Sequence, residues 1–319
     1  MKILSAAVVG TVTCLSGYHS ASAQIVELDC DADGPHLIQG AIGHSYVEIH
    51  FTGTCDGFEA HQTNVDIIGS GPDTAAINGL ILVDRANVTL RGFAVNGMEV
   101  VPGVFEGGVG VVNGSYAVIR DIVIQDGFLA ALQNSGAEVR AVTITAPEND
   151  NAVQVFRNSF IRFVANNSIT STSVDAPAVT VGSNSSLIVT QDGNTFDAVS
   201  RVLSVARGSI AEIWRGEVTG DVTVDLHSVL STGIGQFGGD LFMNGNVTLS
   251  RDSALVFDAP PPEAGTLTFN GTVTCLDTES SLTGMPQGSN TSDCTDFSAD
   301  PVGPPFGPPG NGKGPKRNR

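Results

Sequence analysis

The sequence predicts an all-β fold: a single-stranded right-handed parallel β-helix with three strands per coil and about eight to ten coils. Three observations predict it. Short strands rich in Val, Ile and Thr, separated by Gly and Asn, run from about residue 64 to residue 275, where helical periodicity is absent. A Ser recurs at one place of a self-similar pattern in this region. Apolar residues recur two and four places after that position, and Gly or Asn recurs just before it in five consecutive repeats.

The repeat is anchored by a column of reference residues that follow one another at intervals of 19 to 29 residues. The column consists of Ala86, Ser115, Ser135, Ser159, Ser185, Ser209, Ser228 and Ser253. The residues two places after each of them are all apolar, and those four places after are apolar except for Thr232. Apolar residues at alternate positions are typical of a strand with one buried face. A half-buried strand is therefore expected after each reference residue.

A tight bend is expected just before the reference column. In five consecutive repeats the preceding residue is one that tolerates positive φ: Gly114, Asn134, Asn158, Asn184 and Gly208. The pattern predicts one left-handed residue per bend, and stacked Asn side chains there could hydrogen-bond from coil to coil. Because a third strand follows in several repeats, each coil is expected to run strand, bend, strand, corner, strand and variable loop.

The chain begins with features of a secretory signal peptide. Lys2 precedes an apolar run that is too short to span a bilayer, and Ala21, Ser22 and Ala23 offer a cleavage site. No later stretch is apolar for long enough to cross a membrane. We therefore expect no membrane span and a secreted or periplasmic location. The expected organisation is a signal peptide (1–23), an N-terminal cap (24–63), β-helix coils (64–265), a C-terminal cap (266–298) and a disordered Pro/Gly-rich basic tail (299–319).

Four cysteines remain after removal of the signal peptide with Cys14. An even number in an exported chain indicates disulfides, and their positions near the two ends predict the pairs Cys30–Cys55 and Cys275–Cys294. A four-cysteine metal site would require the two ends of a long solenoid to meet, and no CxxC spacing supports it.

Charge and lysine content exclude several functions. The formal net charge is −18, which argues against binding to nucleic acid and to anionic membrane surfaces. The lysines are confined to Lys2, Lys313 and Lys316, in the predicted signal peptide and tail. A mechanism that depends on a Lys in the coils is therefore excluded. The sequence leaves the oligomeric state open.

Residues 67–73, 76–79 and 88–93 resemble the opening coils of pectin-lyase-like right-handed β-helix repeat proteins. Residues 28–30 and 53–55 resemble the disulfide-closed N-terminal cap of bacterial members. The resemblance covers nearly the whole mature chain and implies the fold, but the superfamily includes lyases, hydrolases, esterases, epimerases and non-enzymes. It implies a groove along one external sheet, where carboxylates, often with Ca²⁺, or a basic residue act. The polygalacturonase-type signatures Asn-Thr-Asp, Asp-Asp, Gly-His-Gly and Arg-Ile-Lys are absent.

Arginines are the first candidates for a site. Arg91, Arg120 and Arg140 occupy the same place in three consecutive repeats, so that stacking would separate them by ~4.8 Å. Three outward guanidinium groups could bind the carboxylates of an acidic polysaccharide or serve in a lyase. Alternatively, they form a surface column that is neutralised by acids such as Asp121 and Glu138.

Loop carboxylates are the second group of candidates. They are Glu99, Glu106, Asp126, Glu148 and Asp150. Two of them ~5–9 Å apart could act as acid and base on a glycosidic bond. Several together could hold Ca²⁺, which is the one cofactor that the sequence suggests. Each of them could equally be an ordinary solvated acid.

Trp214 is the sole tryptophan, and it falls at the column position of the three arginines. It could stack on a sugar ring or pack under a neighbouring loop.

The sequence supports two candidate functions. The first is an exported, non-catalytic protein with a carbohydrate-binding or structural surface role. The alternative is a polysaccharide lyase or glycoside hydrolase acting on an extracellular polysaccharide.

Overall fold

The structure is a computed structural model that describes residues 25–44, 48–101, 104–233, 239–258, 265–284, 290–292 and 294–296. The predicted signal peptide (1–23) and basic tail (299–319) lie outside the described residues. The described chain forms a parallel β-helix of about ten turns, which confirms the fold expected from the repeat.

The secondary structure of the described residues consists of many short strands with two helices near the N-terminal end, α1 (Cys30–Asp33) and α2 (Leu37–Gly43). In chain order the strands are β1 (Ile25–Asp29), β2 (Glu48–His61), β3 (Asn64–Gly69), β4 (Ala75–Asp84), β5 (Asn87–Asn96), β6 (Met98–Val101), β7 (Val104–Glu106), β8 (Gly108–Val112), β9 (Tyr116–Gln125), β10 (Phe128–Leu132), β11 (Gly136–Arg140), β12 (Thr143–Thr145), β13 (Val153–Phe156), β14 (Phe160–Phe163), β15 (Ser168–Ser171), β16 (Val179–Gly182), β17 (Ser186–Val189), β18 (Thr195–Ala206), β19 (Ile210–Ile213), β20 (Gly216–Asp225), β21 (Val229–Gly233), β22 (Leu241–Asn244), β23 (Val247–Leu249), β24 (Ala254–Asp258), β25 (Leu267–Asn270), β26 (Thr272–Cys275), β27 (Ser281–Thr283), β28 (Asn290–Ser292) and β29 (Thr295–Asp296).

Three parallel sheets form the walls of the helix. Sheet A precedes the bend and contains strands such as β8, β10, β13 and β16. Sheet B follows the bend and contains β3, β11, β14, β17 and β19. Sheet C is the third wall and contains β12, β15, β22 and β25. Long strands such as β5, β9 and β20 turn a corner and belong to two sheets. Among the described strands, every pairing is parallel except that of β6 with β7.

The core fills the space that the three sheets enclose. The alternation predicted after the reference column is observed, since Ala117 and Ile119 of β9 are fully buried. Aromatic rings of neighbouring coils pack against one another, as in the edge-to-face Phe163–Phe196 pair, whose centroids lie 5.4 Å apart. Each coil therefore buries its apolar face against the adjacent coils, as a solenoid requires.

The recurrent serines form a buried hydrogen-bonded ladder. Each Ser Oγ accepts a hydrogen bond from the backbone N–H of the reference residue one coil earlier, at 3.1–3.4 Å. The ladder runs from Ala86 to Ser280, one coil beyond the column that the sequence pattern identifies. The inward polar position is thereby satisfied in coil after coil.

The bends differ from the expectation of one left-handed residue. In seven coils two consecutive residues have positive φ, as at Asn113 (57°) and Gly114 (79°). The added position holds residues with no special preference for this region, such as Arg157 and Leu226, so that composition did not reveal it. Within the predicted Asn column, the side chains of Asn158 and Asn134 are bonded, at 3.3 Å. The continuous ladder is made by the serines instead.

Both predicted disulfides are present, at the two ends of the solenoid. The Cα atoms are 5.3 Å apart in Cys30–Cys55 and 5.0 Å apart in Cys275–Cys294. Helix α2 contributes Ile38, which is fully buried, to the N-terminal end of the core. Parallel pairing already begins with β1 and β2, and it continues through β29. No helix in the described ranges is long and apolar enough to cross a bilayer.

Candidate functional site

The three predicted arginines are stacked as expected. Arg91 is the register partner of Arg120, and Arg120 is that of Arg140, at the end of sheet B. Arg91 Nε lies 3.5 Å from Asp121 Oδ2, and Arg120 Nη2 lies 3.8 Å from Glu138 Oε1. Arg140 has no ion pair within the part of the chain that the structure describes. Most of this column is thus neutralised by local acids, and these exposed pairs are weak.

The predicted loop acids lie away from the arginine column. Asp126 follows β9, Glu148 and Asp150 follow β12, and Glu99 and Glu106 lie in the β6–β7 hairpin. These five acids lie in the connections that run from sheet C to sheet A. The arginines lie at the other end, just before the sheet C strands begin. A sheet C strand of three or four residues spans ~10 Å. The structure therefore places the two groups of candidates at opposite ends of the sheet C strands.

None of Asp126, Glu148 and Asp150 belongs to a three-ligand metal group among the described residues. One such group occurs there, on sheet A, and consists of Glu59, His61 and Asp84. Asn113 Nδ2 donates a hydrogen bond to Asp84 Oδ1 at 2.6 Å, and this bond lowers the pKa of the Asp84 carboxyl below its usual value.

Trp214 lies in the same column as the three arginines, three coils beyond Arg140. Val164 and Thr190 occupy this column in the two coils between them. The backbone N–H of Trp214 donates to the carbonyl oxygen of Val189, in the coil before. The indole is half-buried and lines a pocket of about 230 Å³. The lining residues are Arg162, Thr190, Gln191, Trp214 and Arg215. The pocket therefore combines an aromatic ring with two guanidinium groups and a carboxamide.

Arg215 is held in a fixed position at this pocket. Its side chain is only 12% exposed, and its Nη1 atom donates to Asp192 Oδ2 at 3.2 Å. It also packs against the backbone of Gly239, where a β-carbon would collide with Arg215 Cδ. The ion pair and the close packing together restrict the guanidinium to one place.

A second cavity, of about 400 Å³, adjoins the Trp214 pocket across Arg215 and the start of sheet C. Its walls are Asp192, Gly193, Asn194, Thr195, Gly216, Glu217, Gly239, Asp240 and Phe242. We call the pocket and the cavity together the corner groove. The ring of Phe242 is 45% exposed at its rim. The corner groove thus offers two aromatic side chains and both signs of charge.

The carboxylates of the cavity are tied to specific partners. Asp192 pairs with Arg215, and Asp240 Oδ1 accepts hydrogen bonds from the hydroxyl and the backbone N–H of Thr266 at 2.7 and 2.9 Å. The Thr266 hydroxyl contributes most to lowering the pKa of Asp240, and its backbone N–H adds to the effect. The Thr266 hydrogen bonds therefore favour the charged form of the Asp240 carboxyl group.

Buried amides support the floor of the corner groove. Asn167 Nδ2 donates to Asn194 Oδ1 at 2.7 Å, and Asn194 Nδ2 donates to the carbonyl oxygen of Gln191 at 2.5 Å. Both asparagines are fully buried at the corner between sheets B and C. The backbone that carries Gln191 and Asp192 is therefore fixed by polar contacts within the solenoid.

Sequence reasoning found Trp214 but missed its partners. Arg162 lies at the outward position next to Ile161, and Arg215 follows Trp214 directly, so that a comparison of all outward positions could have found both. Asp240 gave no signal, because the connection between sheets B and C that contains it is longer than those of the two preceding repeats. A larger pocket of about 490 Å³ at the N-terminal end is mainly apolar and lacks this combination of groups.

Comparison of the chain with known protein families, with curated proteins and with solved structures finds no significant match in any of the three.

Proposed function

We propose that this chain is an exported, non-catalytic protein that binds carbohydrate in the corner groove. One observation carries the proposal: Trp214, Arg162, Gln191 and Arg215 line the same small pocket. An aromatic face that can cover the apolar face of a sugar, beside planar groups that donate hydrogen bonds to hydroxyl oxygens, suits carbohydrate. Export is supported by the two disulfides and by the signal-like residues 1–23.

The groups around the pocket are arranged in advance of any ligand. Asp192 and Gly239 fix Arg215, and the Asn194 amide fixes the backbone at Gln191. Binding then costs little side-chain ordering, which favours recognition of weakly binding sugars. The exposed Arg162 can meet either a hydroxyl group or a carboxylate.

A polymeric ligand is favoured over a single sugar. The second cavity extends the pocket across the corner and ends at the exposed ring of Phe242, so that neighbouring sugar units could occupy the two parts. The resemblance of the opening coils to pectin-lyase-like proteins supports the same class of ligand. We therefore propose a polysaccharide as the partner.

The second candidate function is a polysaccharide lyase or glycoside hydrolase. It is favoured by three carboxylates in the wall of one cavity, those of Asp192, Glu217 and Asp240. A general acid needs a raised pKa, whereas the Thr266 hydrogen bonds lower the pKa of Asp240. Since Asp240 is held in the charged form and Asp192 is engaged in an ion pair with Arg215, we favour binding over hydrolysis.

Tryptophan fluorescence tests the proposal directly. Because Trp214 is the only tryptophan in the chain, its emission reports on this pocket alone. We expect a saturable change in emission on titration with at least one member of a panel of neutral and acidic polysaccharides. Silence across the panel, with protein shown to be folded by circular dichroism, would overturn the proposal.

A matched pair of variants locates the binding site. Arg162→Gln removes a guanidinium from the pocket and should weaken retention in polysaccharide affinity gels at least about tenfold. Arg157→Gln removes an exposed guanidinium from the bend before the same sheet B strand, and it should leave retention unchanged. Equal retention of the two variants would place the ligand elsewhere. Release of reducing ends or unsaturated products that is lost in Glu217→Gln would instead establish the enzyme.

A further inference from the structure

We propose that Glu59, His61 and Asp84 form a binding site for one divalent transition-metal ion of the Zn²⁺ type on the outer face of sheet A. The proposal is independent of the corner groove, because it concerns the first coils of the solenoid and other residues. It rests on the convergence of three side chains, on the contacts that orient them and on the open space beside them.

The strand register brings the three side chains together. Glu59 and His61 are two residues apart in β2, so that they point to the same face. Asp84 of β4 is the register partner of His61. His61 Nδ1 lies 2.7 Å from Asp84 Oδ2 and 3.9 Å from Glu59 Oε1. One ligand atom from each residue lies within 4.8 Å of the others.

These separations fit a shared metal ion. Two ligand atoms that are each about 2.1 Å from one tetrahedral ion lie about 3.4 Å apart. The two distances from His61 Nδ1 bracket that value, so that side-chain shifts of less than about 1 Å would close the site. One imidazole nitrogen and two carboxylate oxygens suit Zn²⁺ and its neighbours, whereas Ca²⁺ takes six to eight oxygen ligands.

Surrounding residues contact two of the three ligands, the side chain of Asp84 and the backbone of Glu59. Asn113 donates to Oδ1 of Asp84, so that Oδ2 is left to face His61. Gln39 of α2 accepts from the backbone N–H of Glu59 at 2.7 Å and donates to its carbonyl oxygen at 3.2 Å. Such outer contacts are typical of metal sites, where they fix the direction of the ligands.

Open space adjoins the ligands. A pocket of about 410 Å³ is lined by Gln39, Glu59 and His61. It gives an ion access from solvent and leaves room for water in the remaining coordination positions. A three-residue site with an open position is the arrangement found in non-structural zinc sites.

Two other histidines provide controls because their geometry does not converge. His50 also has two glutamates beside it, but Glu48 lies against its Nε2 atom and Glu27 against its Nδ1 atom, on opposite sides of the ring. His227 has one carboxylate beside it, that of Asp252 at 3.2 Å. A single ion can therefore be shared by three side chains at His61 and not at these two positions.

Calorimetric titration of the untagged chain with Zn²⁺ tests the proposal. We expect one equivalent to bind saturably and to raise the unfolding temperature, since the ion binds the folded state. His61→Ala should weaken the affinity for Zn²⁺ at least about tenfold. Glu59→Gln should have the same effect and, because Glu59 is exposed, it tests the site even if His61→Ala fails to fold. His50→Ala and His227→Ala should bind as the unaltered chain does. Absence of saturable binding by the folded chain, or an affinity in both site variants equal to that of the unaltered chain, would overturn the proposal.

Discussion

Ser135 Oγ accepts a hydrogen bond from the backbone N–H of Ser115, one coil earlier, at 3.3 Å. Both residues are buried, and the same bond recurs in every coil from Ala86 to Ser280. A parallel β-helix needs some device to satisfy the amides that turn inward at its bends, because water does not reach them. In this chain the serine column supplies it.

Removal of one rung should therefore destabilise the protein. Ser159→Ala deprives the Ser135 N–H of its acceptor, and a buried amide left without a partner costs about 1–3 kcal/mol of unfolding free energy. Urea denaturation followed by circular dichroism measures the loss. The control is Ser186→Ala, at a half-buried position of β17 outside the ladder, which should change stability by less than about 0.5 kcal/mol. Equal effects of the two substitutions would show that the ladder bond adds nothing specific.

The fold could be predicted because its signals are periodic. The serine column and the apolar residues two and four places after it mark sheet B, and the register of the structure follows them. The hydrogen-bonding role of Ser135 was not visible, since a Ser beside an Asn equally indicates an exposed turn. The second left-handed residue, such as Arg157, was hidden because its side chain has no preference for that conformation.

The candidate site could be predicted only in part. Trp214 stood out by being unique, and the arginine column by its repetition. The corner groove depends on Arg162, Arg215 and Asp240, which come from three different coils and are brought together by loops of unequal length. The repeat pattern in the sequence does not predict the path of such loops. These contacts are therefore visible only in the structure.

The arginine column should contribute little to either stability or binding. The Arg120–Glu138 pair is exposed and 3.8 Å apart, so that Arg120→Ala should change the unfolding free energy by less than about 1 kcal/mol. Retention in polysaccharide affinity gels should also be unchanged, because Arg120 lies outside the corner groove. A loss of retention equal to that of Arg162→Gln would extend the binding surface along sheet B to this column.

Arg215 should matter for both properties. Arg215→Ala removes a buried stem and a guanidinium that fixes the pocket wall, and it leaves Asp192 without its partner. We expect polysaccharide affinity to fall at least about tenfold and unfolding free energy to fall by about 1 kcal/mol. Asp192→Asn keeps the arginine and its packing on Gly239, so that its effect on affinity should be smaller. Polysaccharide affinity of both variants is measured by the Trp214 fluorescence titration. An equal loss of affinity in Arg215→Ala and Asp192→Asn would contradict this view.

The terminal disulfides should protect the ends of the solenoid from fraying. In a solenoid each coil contacts only its neighbours, so that opening starts at an end. Cys30 and Cys55 tie α1 to β2 across 25 residues of sequence, and such a crosslink typically adds about 2–4 kcal/mol. The double variant Cys30→Ala/Cys55→Ala should exchange amide hydrogens faster in residues 48–61, while the central strand β14 keeps its protection. Uniform acceleration along the whole chain would mean that the coils unfold as one cooperative unit, in which case the disulfide acts on the entire solenoid rather than on its end.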